Sequence, residues 1–313
     1  MASESVDEAI NILTRILLSL SIAGALATFI TFAAFKALRT YPMKLIMYLC
    51  ITIIFGFLFF LISDSDRVAT SSFCKGAAFF IHFFFVANFC WTFCVAFNFY
   101  QMIVKRNRET ESYEKWYHLF SWGLPSLCCI GAGASSSYGN VAGDLGSSDD
   151  FCYITEDVTR FVAFFIPGLV IMCTNALLFF FIAREIHETL ESIPSTDSRN
   201  RTNEFRVYLS IFVSIGLSWF FGYLLFVTPS YSDASTVFLF LFTLTTPLQG
   251  FFVFIAYCVN MRVAVQWIKL FGRCIPACRR WGDELAISSA SGSGGRGTGS
   301  GAGSSAYVTE ERP

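Results

Sequence analysis

One long stretch of this chain contains no charged residue: it runs from Gly76 to Val104, between Lys75 and Lys105. At about 1.5 Å of rise per residue, a helix of this length exceeds the hydrocarbon core of a bilayer, which is about 30 Å thick. A backbone inside lipid must satisfy its own hydrogen bonds, so the run predicts a membrane-spanning helix. Because it begins beside Cys74 and ends at basic residues, we expect its two ends to face different compartments.

Further apolar segments of similar character lie on both sides of this run. The composition agrees with a membrane protein, since 54% of the residues are hydrophobic and 14% are charged, against about a quarter charged in soluble domains. The sequence therefore predicts an all-α membrane fold, a seven-transmembrane helix bundle embedded in the lipid bilayer. The predicted segments are Ile16 to Phe35, Leu45 to Ile62, Gly76 to Val104, Tyr117 to Gly133, Thr159 to Ala183, Val207 to Val227 and Ser235 to Val259.

The basic residues predict the orientation of these segments. Lys and Arg concentrate in the connections after the first, third and fifth segments and beyond the seventh, and the remaining connections carry few. Cytoplasmic loops are enriched in Lys and Arg, so we expect the N-terminus outside the cell and the C-terminus in the cytoplasm. One pattern favours the opposite orientation: Asn200, Arg201 and Thr202 form a glycosylation sequon in a predicted cytoplasmic loop. A chance match and an inverted topology are its two interpretations.

The cysteines follow the same division between compartments. Among the eleven cysteines, Cys74 and Cys152 are the only two on the predicted outer face, where disulfides persist, and we expect them to be joined. Cys274 and Cys278 follow the last segment on the predicted reducing side, where palmitoylation is the expected modification.

Four regions are predicted along the chain. Residues 1–15 form a short extracellular N-terminus, and residues 16–260 form the seven-transmembrane bundle. Residues 262–273 show hydrophobic residues on one helical face and basic residues on the other, which predicts a short amphipathic eighth helix on the membrane surface. Residues 274–313 are rich in Gly and Ser, and we expect a disordered cytoplasmic tail.

Catalysis has little support in the sequence. The three histidines are dispersed, no metalloprotease, nucleophile-elbow or phosphate-binding motif is present, and no Asp or Glu lies inside the seven segments. We therefore predict no enzyme activity, no metal, no cofactor and no nucleic-acid partner. A membrane transporter or channel is the alternative from another class, although ion pathways usually place ionisable residues at mid-membrane.

Polar residues and prolines inside the segments predict a bundle with internal bonds and kinks. Amide and hydroxyl side chains are costly in lipid, so we expect five of them to point inward and bond between helices. Pro167 and Pro247 lie deep enough to act as kinks. The five polar residues are Asn88, Asn98, Asn175, Thr246 and Gln249.

Three stretches of the sequence carry a family resemblance. The run from Phe99 to Pro125 resembles the end of helix three, the second cytoplasmic loop and the start of helix four in the slime-mould cyclic AMP receptors and the cyclic AMP receptor-like G-protein-coupled receptors. Gly216 to Gly222 and Pro247 to Asn260 are similar to that family and to the neighbouring secretin and adhesion receptors, which also share Trp122 to Pro125. The resemblance covers residues 10–275 approximately.

The chain also departs from neighbouring families. It has no Asp-Arg-Tyr after the third segment and no Asn-Pro-x-x-Tyr in the seventh, so the activation contacts of rhodopsin-like receptors do not transfer. It lacks the acidic residue and the histidine of the polar lock in secretin receptors, and few residues precede the first segment. These departures favour the cyclic AMP receptor-like group and a ligand that enters the bundle itself.

The resemblance implies a multi-pass plasma-membrane receptor that transmits binding of a small extracellular ligand to a heterotrimeric G protein. Cyclic AMP is the ligand that the family implies, and its phosphate needs a cation such as an outer Lys or Arg. His82 and the aromatic residues have two interpretations, as ligand contacts or as packing residues. The expected ligand-binding residues are Lys75, His82, Trp91, Arg160, Trp219 and Tyr223.

The basic residues of the predicted cytoplasmic face are the expected contacts with the G protein. Their charge and position support this role, and attraction to lipid headgroups is the alternative interpretation. They are Lys105, Arg106, Arg108, Arg199, Arg201, Arg206 and Arg262.

Overall fold

The computed structural model describes residues 2–63, 73–107, 109–141, 151–192, 219–225, 228 and 233–271. The chain divides into a unit of residues 1–260 and a second unit of residues 261–313. The first unit contains helices α1 (Ala2–Ala34), α2 (Tyr41–Ser63), α3 (Phe73–Ile103), α4 (Glu114–Ala134), α5 (Asp157–Arg160), α6 (Ile166–Ser192), α7 (Asp233–Thr245) and α8 (Gln249–Cys258), and strands β1 (Tyr138–Val141) and β2 (Phe151–Ile154).

Shorter helical turns join several of these elements. Turns of 3₁₀ helix lie at Lys36–Leu38, Thr110–Tyr113 and Thr246–Leu248, and a π-helix, Phe161–Phe165, joins α5 to α6. Residues 219–225, from the predicted sixth segment, are helical. The π-helix and the turn at Thr246–Leu248 lie beside Pro167 and Pro247, where a missing N–H interrupts regular helical bonding.

Five helical spans within the described residues are long and apolar enough to cross a membrane: Ile10–Ala34, Tyr41–Ser63, Phe73–Ile103, Asp157–Glu188 and Ala234–Cys258. They correspond to the first, second, third, fifth and seventh predicted segments. The fourth segment forms α4, which is 21 residues long. Most of the sixth segment lies outside the described residues.

The first helix begins earlier than the hydrophobic pattern predicts. We expected it at Ile16, after a short N-terminal segment, whereas α1 begins at Ala2. Extending an existing helix is much easier than nucleating one, and no Gly or Pro interrupts the chain between these two positions. Hydropathy locates the part of a helix that lipid surrounds and does not detect a polar extension of the same helix.

Helix α3 lies at the centre of the first unit. Its residues from Val86 to Thr92 are buried without a break. Seven consecutive residues make almost two helical turns, so every side of α3 is covered at this level. Helices α1 and α2, by contrast, alternate buried residues with exposed Leu, Ile and Phe on one side, as expected for helices that face lipid.

Helices α1 and α8 approach closely because both contribute glycine. A Cβ atom on Gly250 would lie 2.3 Å from the Ser21 carbonyl oxygen, and one on Gly24 would lie 2.9 Å from the Gly250 carbonyl oxygen. The Gly250 amide, in the first turn of α8, donates to Ser21 Oγ at 2.7 Å. This bond satisfies an N–H group that has no partner within its own helix.

A polar chain links three helices inside the bundle. Thr52 Oγ1 on α2 donates to Asn88 Oδ1 on α3 at 3.3 Å, and Asn88 Nδ2 donates to Gln249 Oε1 on α8 at 3.1 Å. All five polar residues expected to point inward are buried. The inward orientation is confirmed, and Asn88 and Gln249 form the expected bond between helices, whereas within the described part of the chain Asn98 Oδ1, Asn175 Oδ1 and Thr246 Oγ1 are buried without a hydrogen-bond partner.

The second unit contains one described helix, α9 (Met261–Phe271). It covers most of the stretch predicted as an amphipathic eighth helix, and it is strongly amphipathic as predicted. The tail beyond Phe271, including Cys274 and Cys278, lies outside the described residues.

Candidate functional site

Strands β1 and β2 form an antiparallel hairpin beside the start of α3. Tyr138 pairs with Ile154, and Asn140 pairs with Cys152. Cys74 on α3 and Cys152 on β2 form a disulfide, with their Cα atoms 5.2 Å apart, so the predicted pairing is confirmed. We call this end of the first unit the hairpin end, and the opposite end, which carries Arg39, Lys105 and Arg106, the basic end.

His82 links the hairpin to the inside of the bundle through hydrogen bonds. The side chain is fully buried, and its Nε2 lies 3.1 Å from the Ala163 carbonyl oxygen in the π-helix. A carbonyl only accepts, so Nε2 carries the proton, and Nδ1 accepts from the Tyr138 hydroxyl at 2.7 Å. Burial raises the pKa of Tyr138, which keeps that hydroxyl protonated. His82 thereby joins α3, β1 and the π-helix, and it does not line the cavity described below.

Arg160 holds the other strand of the hairpin. Its side chain is only 6% exposed, and its Nε donates to the Ile154 carbonyl oxygen at 2.9 Å and its Nη2 to the Thr155 carbonyl oxygen at 3.4 Å. Its Nη1 forms an ion pair with Asp157 at 3.2 Å, and the Asp157 side chain is 83% exposed. The guanidinium is thus oriented mainly by backbone carbonyls.

A hydroxyl cluster closes the base of the hairpin. Glu156 Oε2 accepts from Thr159 Oγ1 at 2.6 Å and from Ser137 Oγ at 3.0 Å. These two hydrogen bonds favour the ionised carboxylate and lower the pKa of Glu156. The Thr155 amide donates to the Ser137 carbonyl oxygen at 2.7 Å, which extends the ladder beyond β1 and β2.

A cavity of about 230 Å³ lies under the hairpin. It is bounded by α1, α2, α3, β2, Arg160, the π-helix, residues 219–225, α7 and the turn after α7. Among its lining residues in the described chain, Arg160 is the only charged side chain. Eight of its twenty lining residues are aromatic: Phe57, Phe60, Phe85, Tyr153, Phe164, Phe165, Trp219 and Phe242.

Trp219 is the centre of an aromatic cluster in this wall. Its ring centroid lies 4.7 Å from that of Phe89, 5.5 Å from those of Phe164 and Phe242, and 6.1 Å from that of Phe85, all in edge-to-face geometry. Gly222 allows α7 to approach, since a Cβ there would lie 2.9 Å from the Phe242 ring. The predicted sixth segment therefore contacts α3, the π-helix and α7 through one indole ring.

The structure brings together two of the six predicted ligand residues. Arg160 and Trp219 line the cavity, and Tyr223 lies behind its wall, donating to the Phe165 carbonyl oxygen at 3.0 Å. Lys75 is exposed at the start of α3. Trp91 is fully buried elsewhere, stacked on Tyr48 with centroids 4.7 Å apart and packed against His118 and Trp122.

Sequence reasoning missed most of the wall. Phe57, Phe85, Phe164 and Phe242 were not singled out, because the chain has 37 Phe residues and their spacing does not distinguish a cavity wall from the core or the lipid-facing surface. The π-helix that turns Phe164 and Phe165 toward the cavity has no sequence signal beyond the nearby Pro167.

The basic end contains two of the predicted partner contacts, Lys105 and Arg106, in exposed or partly exposed positions. Arg106 Nη2 forms an ion pair with Glu185 Oε1 on α6 at 3.3 Å, and the Arg106 side chain is 81% exposed. Lys105 Nζ lies 5.8 Å from the centroid of the Tyr100 ring. Glu114 to Ala134 follow as α4.

The other five predicted G-protein contacts lie in the second unit or outside the described residues. Arg262, in the second unit, is exposed on α9. The other four lie outside the described residues: Arg108, Arg199, Arg201 and Arg206. Within the described residues no group of three or more His, Cys, Asp or Glu side chains could hold a metal ion.

The chain matches known receptors over most of its length. A family model described as "7 transmembrane receptor (Secretin family)" matches residues 7–253. Latrophilin receptor-like protein A of Dictyostelium discoideum is 45% identical over 271 residues, which cover 87% of this chain and 85% of that protein. Adhesion G-protein coupled receptor G2 of Homo sapiens is 26% identical over 275 residues, which cover 83% of this chain and 26% of that protein. These relatives are receptors, not enzymes.

Proposed function

Because the chain belongs to the secretin family of seven-transmembrane receptors, we propose that it transmits binding of a small, mainly apolar ligand to a heterotrimeric G protein. The ligand occupies the cavity under the hairpin, and the G protein binds the basic end. The single observation that carries this proposal is the aromatic cavity whose wall includes Trp219 of the sixth segment.

The geometry suggests how ligand binding in the cavity could change the packing of the surrounding helices. A ligand that contacts Trp219 changes the packing of one ring against α3, the π-helix and α7 together. Packed aromatic clusters have a small number of alternative arrangements, so a ligand that binds one arrangement better shifts the population toward it. In the proposed mechanism the sixth segment then moves at the basic end and opens a cleft for the G-protein α subunit.

The basic end supplies charges that suit this partner. Lys105 and Arg106 lie directly after α3, and the exposed Arg106–Glu185 pair is weak enough to be exchanged for a partner's carboxylate. In the proposal, Arg108, Arg199, Arg201, Arg206 and Arg262 are further basic contacts with the G protein. Together they steer association more than they determine its final affinity.

The proposed orientation places the hairpin end outside the cell and the basic end in the cytoplasm of a plasma-membrane protein. A disulfide at the hairpin end fits an oxidising compartment, and the basic residues fit the cytoplasmic side. Epitope tags at the two termini, detected with and without permeabilisation, test this orientation. Detection of both tags in one compartment would contradict it.

Cyclic AMP remains the narrower candidate that the family resemblance implies. Its phosphate could reach Arg160, but for the polar groups of its ribose and purine the lining offers only five uncharged polar side chains, and the other residues of the wall are apolar. Burying such groups without hydrogen-bond partners is costly. The cavity therefore favours a more apolar ligand, and cyclic AMP serves as a comparison compound in the binding experiments.

The decisive experiment couples a cavity variant to G-protein activation. Leu239 lines the cavity, so Leu239→Trp is expected to fill it and abolish agonist-stimulated nucleotide exchange on a reconstituted G protein. The matched control is Leu127→Trp on α4, where the leucine is 68% exposed and a larger side chain faces outward. Equal exchange in the two variants would refute the assignment of the cavity as the ligand site.

A further inference from the structure

We infer that the ligand of this cavity is an apolar chain with one terminal carboxylate, such as a long-chain fatty acid, held by Arg160. This inference rests on the proposed function and names the chemical class of its ligand. It is carried by the position of a single, almost completely buried guanidinium at the edge of a wall that is otherwise mainly apolar, with the uncharged polar side chains Asn11, Thr14, Tyr153, Thr243 and Thr246.

Arg160 has unused capacity for an anion. An Arg side chain has five N–H donors, and two of them bond the carbonyl oxygens of Ile154 and Thr155. Those two bonds fix the plane of the guanidinium without neutralising its charge. Among the described residues, its one further contact is the ion pair with Asp157.

The ion pair with Asp157 is open to exchange. The Asp157 side chain is 83% exposed, so water can solvate its carboxylate when the pair separates. Arg160, at 6% exposure, has no comparable access to water. A ligand carboxylate that reaches the guanidinium from the cavity would satisfy a buried charge, and the displaced Asp157 would lose little.

The other lining residues disfavour ligands that are cationic or that carry many polar groups. No Asp or Glu lines the cavity among the described residues, so a cationic ligand would meet Arg160 with no counter-charge. The uncharged polar side chains of the lining, from Asn11, Thr14, Tyr153, Thr243 and Thr246, can bond only a few groups of a ligand, so a ligand with many polar groups would leave several of them without partners. An apolar body with one anion at its end satisfies both conditions, and a planar carboxylate matches the guanidinium fork.

The test compares twelve-carbon ligands that differ only in their terminal group. Binding of tritiated dodecanoate to the full chain in lipid nanodiscs is measured, with dodecanol, dodecyl phosphate and cyclic AMP as competitors, and the Leu239→Trp variant corrects for partition into lipid. We expect dodecanoate to bind about ten- to a hundredfold more tightly than dodecanol, as hydrogen bonds to a charged group imply.

Two variants separate the ligand role of Arg160 from its role in holding the hairpin. Arg160→Gln is expected to weaken dodecanoate binding to the level of dodecanol, and the ratio of the two affinities in this variant, rather than either affinity alone, reports the ligand role. Asp157→Asn removes the competing carboxylate at an exposed position, and we expect it to strengthen dodecanoate binding severalfold. If Arg160 served only to hold the hairpin, Asp157→Asn would leave dodecanoate binding unchanged, which would overturn the inference even if Arg160→Gln fails to fold.

The remaining outcomes also decide the question. Equal affinity for the acid and the alcohol, both lost in Leu239→Trp, would overturn the carboxylate inference and leave the proposed apolar-ligand receptor intact. Tighter binding of dodecyl phosphate than of dodecanoate would replace the carboxylate by a phosphate monoester. No difference between the wild type and Leu239→Trp for any compound would overturn the proposed ligand site as well.

Discussion

The hairpin end and the basic end of the first unit are held together by different kinds of interaction. At the hairpin end a disulfide, a buried histidine and a buried arginine join the strands to α3 and to the π-helix. At the basic end α3 and α6 are joined by an ion pair whose arginine is 81% exposed and by an edge-to-face contact between Tyr100 and Phe181, whose ring centroids are 6.2 Å apart. The comparison indicates that the cavity is built on a rigid frame, whereas the opposite end can rearrange at small cost.

Among changes at the two ends, removing the disulfide should lower the free energy of unfolding the most. Cys152→Ala releases a cross-link between residues 78 positions apart, and we expect a loss of about 4 kcal/mol in the free energy of unfolding, although the mechanism of disulfide stabilisation is model-dependent. Thermal unfolding in detergent, with and without reductant, measures it. Cys173→Ala, at an exposed free cysteine, is the control, and an equally small shift in both variants would contradict a rigid hairpin end.

The next largest loss of stability should come from removing the buried hydrogen bond between Tyr138 and His82. Tyr138→Phe removes the donor to His82 Nδ1 and leaves a buried nitrogen without that partner, so we expect a loss of about 1–3 kcal/mol. Chemical unfolding followed by tryptophan fluorescence measures it. The same change at the half-buried Tyr113, at the basic end, should cost much less. A reversed order would show that the basic end is the more rigid.

A smaller effect is expected from the ion pair at the basic end. Arg106→Gln should change stability by about 0–1 kcal/mol, because both partners contact water and salt screens them. The same variant should lower G-protein activation more visibly, and nucleotide exchange at low and high salt measures that change. The charge-swapped double variant, Arg106→Glu with Glu185→Arg, restores the pair but not the surface charge at position 106. Full recovery of activation by the swap would assign the pair a structural role.

The smallest effect should appear mainly as a pH dependence at the hairpin end. The folded-state pKa of Glu156 is lowered, so its contribution to stability is complete above its unfolded-state pKa of about 4.3 and is lost as the pH falls through the folded-state value. Glu156→Gln should flatten the stability profile below about pH 4.5, and it should lower stability slightly at pH 7, where the wild type has the full contribution of the carboxylate. Unfolding curves of both proteins across this range measure the difference, and parallel profiles would show that its two hydrogen bonds do not persist in solution.

Sequence reasoning reached the disulfide and the buried polar residues because both follow from simple physical exclusions. Cys74 and Cys152 were the two cysteines expected on the oxidising side, and Asn88 and Gln249 could not face lipid without cost. The same reasoning left two interpretations of His82, as a packing residue or as a ligand contact. In the structure both of its ring nitrogens lie within hydrogen-bond distance of protein atoms.

The cavity could not be deduced in the same way. Its wall takes Phe57 from α2, Phe85 from α3, Phe164 from the π-helix and Phe242 from α7, and nothing local marks these residues among many similar ones. Arg160 was singled out as a cation, but its burial depends on a hairpin whose carbonyl groups it must meet.

The sequence by itself determined that this chain is a helical membrane protein, which segments can be surrounded by lipid and which cysteines can pair. Those properties follow from transfer free energies that act on each residue or segment separately. Only the tertiary structure decided which aromatic rings enclose a cavity, which arginine is buried at its edge and how Trp219 connects three neighbours. Those properties depend on contacts between distant parts of the chain, and on the π-helix and the close approach at Gly222 that set the rotation of each helix.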